Sequence, residues 1–247
     1  MAGSARPPTV DKRATLGHPS QVWTAGLERR LALLRRYVPL EGRRILDIGC
    51  GVGMFVRRLR QLSDYVYGIE LDRERLLVAS QELPGLVQAV GEALPFRDGA
   101  FHVALLHEVI EHVSDDAATL REACRVVAPG GHIVIFCPNR LYPFETHGIF
   151  LGRRYVFGNI PLVNYLPDFL RDRLVPHARV YTAAGLRRLW QGLPLRPLVH
   201  TQVLPGFDHM VARRPLLGRG LRALQRLEMT PLRIFGLSHF VVLIREE

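Results

Sequence analysis

The sequence predicts an α/β fold, in which a mostly parallel sheet of seven strands carries helices on both faces. Three observations support this fold class. An apolar run at 45–48 is followed at once by a glycine-rich loop and a helical pattern at 54–62. Strand and helix patterns then alternate as far as residue 136. The length of 247 residues and the hydrophobic content of 48% suit one such domain with additions.

Each element is predicted from its local pattern. The first helix runs from a cap at Ser20 to about residue 37, and its apolar face comprises Trp23, Leu27, Leu31 and Leu34. The core elements that follow are strands at 45–48, 66–70, 101–106 and 132–136, with helices at 54–62 and 120–127. A helix from a Thr182 cap to about residue 191 and strands at 195–203 and 239–244 complete the sheet. We therefore expect a tail and capping helix at 1–43 and one domain at 44–247.

Two segments interrupt the core pattern, at 138–181 and at about 205–236. The first, called the insertion below, holds five prolines among aromatic, leucine and arginine residues. It is too apolar for a loose loop and too proline-broken for a long helix. Because it follows the carboxyl end of the fifth strand, we predict a lid that shapes a substrate pocket. The second segment is predicted to contain a helix at 215–230.

The loop after the first strand carries the strongest functional pattern. Residues 47–53 read DIGCGVG, and Glu70 ends the second strand 21 residues after Gly49. Glycines let a backbone approach a ligand closely, and the next helix offers its unpaired N–H groups. The dinucleotide pattern is not met, because Met54 stands where its last glycine belongs. Asp47 suits an ammonium or sulfonium group, and Glu70 can accept both hydroxyls of a ribose.

This combination resembles the class I S-adenosylmethionine-dependent methyltransferases, in the type 11, ubiquinone-biosynthesis-like branch. The resemblance implies a Rossmann-like sheet and S-adenosylmethionine as cofactor, and it continues through an adenine-side loop at 92–101. The cofactor-binding residues that it implies are Asp47, Gly49, Cys50, Gly51, Glu70, Leu71, Gly91, Glu92, Ala93 and His107. Two positions depart from the family, since Val90 and His102 stand where it usually has aspartate. Glu92 is the expected replacement for the adenine contact.

Methyl transfer to oxygen needs a base near the acceptor, and neutral imidazole has a suitable pKa. The catalytic candidates are His147, after the fifth strand, and His107, at the end of the fourth. A lone loop histidine often only satisfies a backbone carbonyl, so a pocket role for His147 is favoured over a role as base. The candidates for contacts with the substrate are Arg140, Glu145, His177, Arg179 and Tyr181, with Glu145 and His147 expected at the pocket mouth.

The run Glu108-x-x-Glu111-His112 resembles a divalent-metal pattern of some ubiquinone-pathway and small-RNA 2′-O-methyltransferases. With His177 as a loose match to a further ligand, these side chains could bind Mg²⁺, Mn²⁺ or Zn²⁺ and lower the pKa of an acceptor hydroxyl. Similar Glu-His steps occur widely without metal in this superfamily. A divalent metal is therefore compatible with the sequence but is not the favoured interpretation.

The basic charge is concentrated outside the cofactor half. The formal net charge is +10, and residues 1–44 hold 9 basic and 3 acidic side chains, residues 45–138 hold 8 and 13, and residues 139–247 hold 16 and 7. Arginine forks suit carboxylate and phosphate, which favours an anionic acceptor or an anionic membrane surface. The arginines in or next to the insertion are Arg140, Arg153, Arg154, Arg171, Arg173 and Arg179. The alternative is a solvated, arginine-biased surface.

These observations predict an S-adenosylmethionine-dependent methyltransferase, with O-methylation of a small or lipid-linked, anionic acceptor as the leading interpretation. One alternative is a metal-assisted RNA 2′-O-methyltransferase, although no aromatic-basic platform for nucleic acid is evident. Another is a non-catalytic partner with this fold, which the intact Asp47, Gly49, Gly51 and Glu70 argue against. No apolar run reaches the roughly 18 residues of a membrane span, and no signal-peptide core begins the chain. Three cysteines suit a reducing compartment, so we expect a cytoplasmic protein with, at most, peripheral membrane contact.

Overall fold

The computed structural model describes residues 22–206 and 225–247. The predicted tail, the Ser20 cap, the side chain of Trp23 and residues 215–224 of the predicted second-insertion helix lie outside what it describes. The helices are α1 (Val22–Tyr37), α2 (Met54–Leu59), α3 (Arg73–Ser80), α4 (Asp116–Val126), α5 (Asp168–Leu174) and α6 (Ala183–Arg188). The strands are β1 (Ile45–Ile48), β2 (Val66–Glu70), β3 (Leu86–Gln88), β4 (Phe101–His107), β5 (Val127–Pro138), β6 (Phe144–Glu145), β7 (Ile149–Leu151), β8 (Arg154–Val156), β9 (Ile160–Pro161), β10 (Leu195–Val203) and β11 (Ser238–Arg245). Short 3₁₀ helices cover Val163–Tyr165, Gln225–Met229 and Pro231–Phe235.

Seven strands form one sheet in the order β10-β11-β5-β4-β1-β2-β3. Strand β11 is antiparallel to both β10 and β5, and the other neighbours run parallel. The predicted fold class is therefore confirmed. The chain winds to one side from β1 through β2 and β3, and to the other side from β4. In sheets of this kind, the carboxyl ends of the strands at such a reversal leave a crevice for ligands.

Both faces of the sheet are covered. Leu46 and Ile48 of β1 join the core on the side of α4, while Ile45 joins the core on the side of α1. This alternation is what a strand's period of two residues requires. Leu27, Leu31 and Leu34 of α1 are buried, as their helical spacing predicts.

The element ends differ from the predicted ones by a few residues. Helix α2 ends at Leu59, three residues early, whereas α4 begins at Asp116, four residues early, because the Asp115 side chain caps it by accepting from the Ala118 N–H at 2.8 Å. The Thr182 cap is confirmed, with its hydroxyl 3.0 Å from the Gly185 nitrogen.

The insertion is an ordered substructure of its own. It forms two small antiparallel pairs, β6 with β9 and β7 with β8, followed by helix α5. Ile149, Val163, Val175 and Ala178 make a small apolar cluster inside it. Strands of two or three residues have no measurable period, so the sequence pattern could not predict them. In the second segment, residues 225–229 form a 3₁₀ turn and not the predicted α-helix.

No helix within residues 22–206 or 225–247 is long and apolar enough to cross a bilayer.

Candidate active site

The loop between β1 and α2 can be built only with glycine at its key position. Gly49, Gly51 and Gly53 all have positive φ angles, of 74°, 56° and 79°. A Cβ at Gly49 would lie 2.5 Å from Cγ2 of Val109, whereas one at Gly51 would meet nothing within 4 Å. Gly49 therefore lets the loop after β1 lie directly against the loop after β4. Those two loops form the walls of the crevice at the reversal of the sheet.

A cleft of about 180 Å³ opens at this crevice. The predicted cofactor residues that line it are Gly49, Glu70, Leu71, Gly91 and Glu92. Asp47, Cys50, Gly51, Ala93 and His107 belong to neighbouring positions but do not line it. The opposite wall comes from the loop after β4, through Glu108, Val109, His112 and Val113. The structure thus brings the cofactor pattern and the Glu-x-x-Glu-His run to one cavity.

Two buried acids lie under the glycine loop. The Glu70 carboxylate accepts the N–H of Gly51 at one oxygen and that of Asp72 at the other, both at 2.8 Å. These bonds fix the carboxylate in the cleft wall. Asp47 is 2% exposed, and burial, followed by the charge of Glu70, raises its pKa to about 8. A ligand cation nearby would favour the ionised form of Asp47.

Cys50 and Glu92 have local structural roles. The Cys50 sulfur lies against Gly68, where a Cβ would be only 2.8 Å from it. Burial, then the charges of Asp47 and Glu70, raises the pKa of the Cys50 thiol, so it is an unreactive filler. One oxygen of Glu92 accepts the N–H groups of Ser114 and Asp115 at 2.7 and 3.2 Å, which ties the adenine-side loop to the β4–α4 connection.

Helix α1 contributes a residue that the sequence analysis missed. Arg30 is buried, with one guanidinium nitrogen 2.8 Å from Glu108 and 3.0 Å from the Ser238 hydroxyl. Its other terminal nitrogen lies 2.5 Å from Nε2 of His107. Burial opposes ionisation of Glu108, but the charge of Arg30, the neighbouring His107 and His147 and the hydrogen bond from Ser238 together lower its pKa to about 2. The sequence feature that could have identified Arg30 is its helical spacing from Leu27 and Leu34, which places this arginine on the apolar face of α1.

This contact decides the position of His107. Burial, then the Arg30 charge, lowers the pKa of His107 to about 3, so its ring is neutral. Its Nε2 faces the guanidinium and not the cleft. Glu108 next to it has a φ of 55°, a left-handed conformation that is costly for a side chain of this kind. Arg30 and Ser238 hold this strained residue where it lines the cleft.

Three side chains meet behind the cleft, and we call Glu111, His112 and His147 the Glu111 cluster. Glu111 is 1% exposed, and neither of its carboxylate oxygens has a hydrogen-bond partner among the described residues. Oε1 of Glu111 lies 3.9 Å from Nε2 of His112 and 4.0 Å from Nε2 of His147. Burial, then the charge of Glu108, raises the pKa of Glu111 well above its ordinary value. A buried carboxyl group without partners is costly, so this arrangement calls for a functional explanation.

The second nitrogen of each imidazole fixes its tautomer. Nδ1 of His112 lies 2.8 Å from the carbonyl of His177, which can only accept, so Nδ1 carries the proton. Burial, then the charge of His147, lowers the pKa of His112 to about 4. Nδ1 of His147 lies 2.9 Å from the Glu145 carboxylate. His112 is therefore neutral with an unprotonated Nε2, and the Nε2 atoms of both rings face the Glu111 carboxyl group.

The predicted substrate residues are occupied by structural contacts. Arg140 pairs with Asp168 and donates to the Leu166 carbonyl, and Arg179 donates to the carbonyls of Val113 and Ser114. The Tyr181 hydroxyl lies 2.9 Å from the Ile110 carbonyl and from Asp116. The Arg179 and Tyr181 contacts join the insertion to the segment after β4, whereas the Arg140 contacts lie within the insertion.

Glu145 and His177 also differ from expectation. The prediction that Glu145 lies at a pocket mouth is wrong, because it is 1% exposed and pairs with the buried Arg171 at 2.9 Å. His177 bonds the His147 carbonyl through Nε2 at 3.1 Å, so that nitrogen is not directed at Glu111. His102, the unexplained departure from the family, accepts the Arg44 N–H at 3.1 Å.

Comparison with known proteins agrees with this geometry. Residues 46–135 match the model of the type 11 methyltransferase domain. The chain is 33% identical over 202 residues to a ubiquinone biosynthesis O-methyltransferase of Ralstonia nicotianae, covering 75% of this chain and 82% of that protein. The chain belongs to the S-adenosylmethionine-dependent methyltransferases. A second protein of the same description, from Paracidovorax citrulli, is 29% identical to this methyltransferase over 192 residues, 72% of this chain and 77% of the relative.

Solved structures show the same fold. A crystal structure of an S-adenosylmethionine-dependent methyltransferase from Mesorhizobium loti superposes with a TM-score of 0.62 at 23% identity, covering 89% of this chain and all of the other. The predicted family, enzyme class and cofactor, S-adenosylmethionine, are thereby confirmed.

Proposed function

We propose that this methyltransferase transfers the methyl group of S-adenosylmethionine to a hydroxyl oxygen of a small or lipid-linked acceptor, and that the Glu111 cluster activates that oxygen. The observation that carries the proposal is the buried Glu111 carboxyl group, which has no hydrogen-bond partner among the described residues and faces the Nε2 atoms of His112 and His147 at 3.9 and 4.0 Å. The names of the two relatives, both O-methyltransferases, support oxygen as the acceptor atom.

The cofactor is proposed to bind along the glycine loop. The remaining lone pairs of Glu70 accept the ribose hydroxyls, and Asp47 pairs with the cationic end of the ligand. Leu71, half exposed at the cleft, offers an apolar face to the adenine, with Gly91 and Glu92 beyond it. This places the sulfonium near the loop after β4, where proximity and orientation supply most of the rate enhancement.

His147 is the proposed base, in preference to His107. Its Nε2 faces the Glu111 carboxyl group, and its Nδ1 faces the Glu145 carboxylate, whereas Nε2 of His107 faces a guanidinium. Removal of the acceptor proton by imidazole typically contributes about 10²- to 10⁴-fold to the rate.

A metal-assisted form of the same reaction is a second candidate. The three ligand atoms of the Glu111 cluster lie within 4.8 Å of one another. The two oxygen–nitrogen distances, 3.9 and 4.0 Å, are within the roughly 4.2 Å that an ion with bonds of about 2.1 Å can bridge. Two imidazoles and a carboxylate suit Zn²⁺, Mn²⁺ or Fe²⁺, and a bound cation would lower the pKa of the acceptor hydroxyl. Of the other sequence candidates, Glu108 is paired with Arg30 and His177 bonds a carbonyl, so neither is proposed as a ligand.

Activity on a panel of phenolic acceptors, before and after treatment with a chelator, tests both forms. We expect His147→Gln and Glu111→Gln to lower kcat at least 100-fold while leaving the affinity for S-adenosylhomocysteine unchanged. His132→Gln, on β5 and outside the cluster, is the matched control. Full activity of His147→Gln would end the proposal. Activity that survives chelation and does not rise with Mn²⁺ or Zn²⁺ would remove the metal-assisted form alone.

The lipid-linked acceptor is supported by the surface of the insertion. Leu162, Tyr165 and Phe169 lie within eight residues of one another and are exposed, Phe169 by 74%. Arg153, Arg154 and Arg173 are exposed in the same insertion. Apolar side chains among arginines suit peripheral contact with an anionic bilayer.

Co-sedimentation with vesicles tests this contact. We expect binding to phosphatidylglycerol vesicles that Phe169→Ser and Leu162→Ser weaken, with Val78→Ser on α3 as the exposed control. Equal binding to phosphatidylcholine, or none to either lipid, would argue for a water-soluble acceptor.

A further inference from the structure

We propose that Arg171 and Glu145 are positioning residues that act through Nδ1 of His147 and fix the tautomer in which its Nε2 lone pair faces Glu111. The inference deepens the proposed function and rests on the role given there to His147. Neither residue touches the cleft, and both lie within the insertion.

The Arg171 guanidinium is buried, and its directions are set by three close partners, with Asp172 further away at 3.5 Å. One terminal nitrogen lies 2.9 Å from Oε2 of Glu145, and the other donates to the carbonyl of Ala178 at 2.8 Å. Its Nε lies 3.4 Å from the side-chain oxygen of Asn164. The amide of Asn164 in turn donates to the carbonyls of Tyr142 and Phe144. Arg171 is therefore held by the backbone of the insertion on both sides.

Such a pair needs an explanation other than stability. A buried ion pair can often be replaced by apolar residues without loss of stability, because desolvation offsets its Coulomb energy. The Glu145–Arg171 pair lies beside the small apolar cluster of the insertion. Two apolar side chains of similar volume could pack against that cluster instead. An apolar pair could not supply a hydrogen-bond acceptor for Nδ1 of His147.

The other oxygen of Glu145 controls His147. Oε1 accepts the backbone N–H of His147 at 2.8 Å and faces its Nδ1 at 2.9 Å. The buried Arg171 guanidinium at Oε2 pairs with the ionised form of Glu145. An ionised carboxylate only accepts, so Nδ1 carries the proton, and in the neutral ring the lone pair is then on Nε2. The carbonyl of His147 is held as well, by the Tyr155 hydroxyl and His177.

The tautomer of His147 is the readout that a merely structural pair would not move. In Glu145→Gln, we expect the Arg171 guanidinium to bind the amide oxygen, so that the amide NH₂ group faces His147. The NH₂ group then donates to Nδ1 of His147, and the ring proton moves to Nε2. Long-range ¹H–¹⁵N spectra of the full chain labelled at histidine report this proton, with His147 assigned by its absence in His147→Gln. We expect the Nδ1–H form in the wild type and its loss in Glu145→Gln and Arg171→Met.

Matched variants separate positioning from folding. Arg171→Lys keeps a cation at Glu145 and is expected to restore the wild-type tautomer. Asp168→Asn removes a different ion pair of the insertion, that with Arg140, and is expected to leave the tautomer unchanged. We expect kcat to fall at least tenfold in Glu145→Gln and Arg171→Met while the affinity for S-adenosylhomocysteine is retained.

The outcomes distinguish this inference from the proposed function. An unchanged tautomer in folded Glu145→Gln overturns the inference, whatever the activity. Should Arg171→Met fail to fold, Glu145→Gln and Arg171→Lys decide the question. A tautomer that responds as expected, together with a fully active His147→Gln, supports the positioning but ends the role of His147 in catalysis.

Discussion

The buried carboxylates of this methyltransferase differ in what surrounds them. Glu70 accepts two backbone N–H groups and so is held ready in the cleft wall, while Asp47 has a raised pKa from burial and from the neighbouring Glu70. Glu111 has no hydrogen-bond partner among the described residues. These differences support the proposal that Glu70 and Asp47 bind the cofactor and that Glu111 lies on the acceptor side.

We expect Glu70→Ala to lower the affinity for S-adenosylmethionine by about tenfold to hundredfold, because charge-assisted bonds to the ribose are lost. The N–H groups of Gly51 and Asp72 also lose their acceptor. Titration calorimetry with S-adenosylhomocysteine measures the change, and Glu74→Ala on α3 serves as the control. An unaltered dissociation constant would remove Glu70 from the cofactor site.

Asp47→Asn is expected to change the pH dependence of stability. The folded-state pKa of about 8 lies above the ordinary value of about 3.9, so folding favours the protonated form. This contribution to stability is complete below about pH 4 and is lost as pH rises through 8. Asparagine mimics the protonated acid, so the unliganded variant should match the wild type near pH 4. By pH 8 it should be more stable, by on the order of 5 kcal/mol, because each tenfold difference in proton affinity between the folded and unfolded states contributes about 1.4 kcal/mol.

Urea unfolding of the unliganded protein across this pH range tests the Asp47 prediction. The same variant should bind S-adenosylmethionine more weakly. A stability difference that does not vary with pH would contradict the assignment.

At the scale of elements, the site is built from contacts between loops and a helix that are separate in sequence. The loop after β1 touches the loop after β4 at Gly49 and Val109, and α1 reaches the end of β4 through Arg30. The insertion adds His147 to the same place.

Gly49→Ala and Gly51→Ala form a matched pair. Both place alanine at positive φ, which costs about 1 kcal/mol, but only the first adds a clash at 2.5 Å with Val109. We expect Gly49→Ala to abolish cofactor binding and to lower the melting temperature much more than Gly51→Ala does. Val109→Ala in the Gly49→Ala background should recover part of the loss. Equal effects of the two glycine variants would show that loop contact is unimportant.

Arg30→Ala is expected to destabilise the fold by about 3–5 kcal/mol, since it leaves the buried Glu108 carboxylate without its cation. Release of Glu108 from its strained conformation should also weaken cofactor binding. Arg35→Ala on the same helix is the control. It removes an exposed ion pair with Glu41 and should leave the melting temperature unchanged. Chemical unfolding and calorimetry of the two variants test both statements.

At the scale of the whole molecule, charge is divided between the cofactor half and the remainder. The structure narrows which arginines are available to a partner. Arg140, Arg171 and Arg179 are engaged in contacts of the insertion, whereas Arg153, Arg154 and Arg173 are exposed. Binding of an anionic acceptor or membrane surface therefore remains a prediction, and it concerns Arg153, Arg154 and Arg173.

We expect the acceptor KM to rise with ionic strength, because salt screens exposed charges over about 8 Å at physiological concentration. Cofactor affinity should change little, since the cofactor half is acidic and its site is largely buried. Replacement of Arg153, Arg154 and Arg173 by glutamine should remove the salt dependence, with Arg57→Gln on α2 as the control. An RNA acceptor would give a steeper slope that scales with the phosphates contacted. A KM indifferent to both salt and these variants would reduce the basic excess to a surface bias.

The sequence by itself determined the fold class and the sheet, and it predicted the cofactor half of the site. Strand and helix periods and the glycine loop are local patterns, and Asp47, Gly49 and Glu70 lie within one strand-loop-helix unit and the strand that follows it. Only the tertiary structure decided the rest. Arg30 and Ser238 are 208 residues apart, and Arg171 and Glu145 are 26 apart, so no local period connects them. Sequence reasoning placed Glu145 at a pocket mouth and Arg140 on a substrate because residue type shows charge but not burial. Only packing fixes burial and pairing. It gives Glu145 and Arg140 structural ion pairs, and it leaves Glu111 and His147 facing each other.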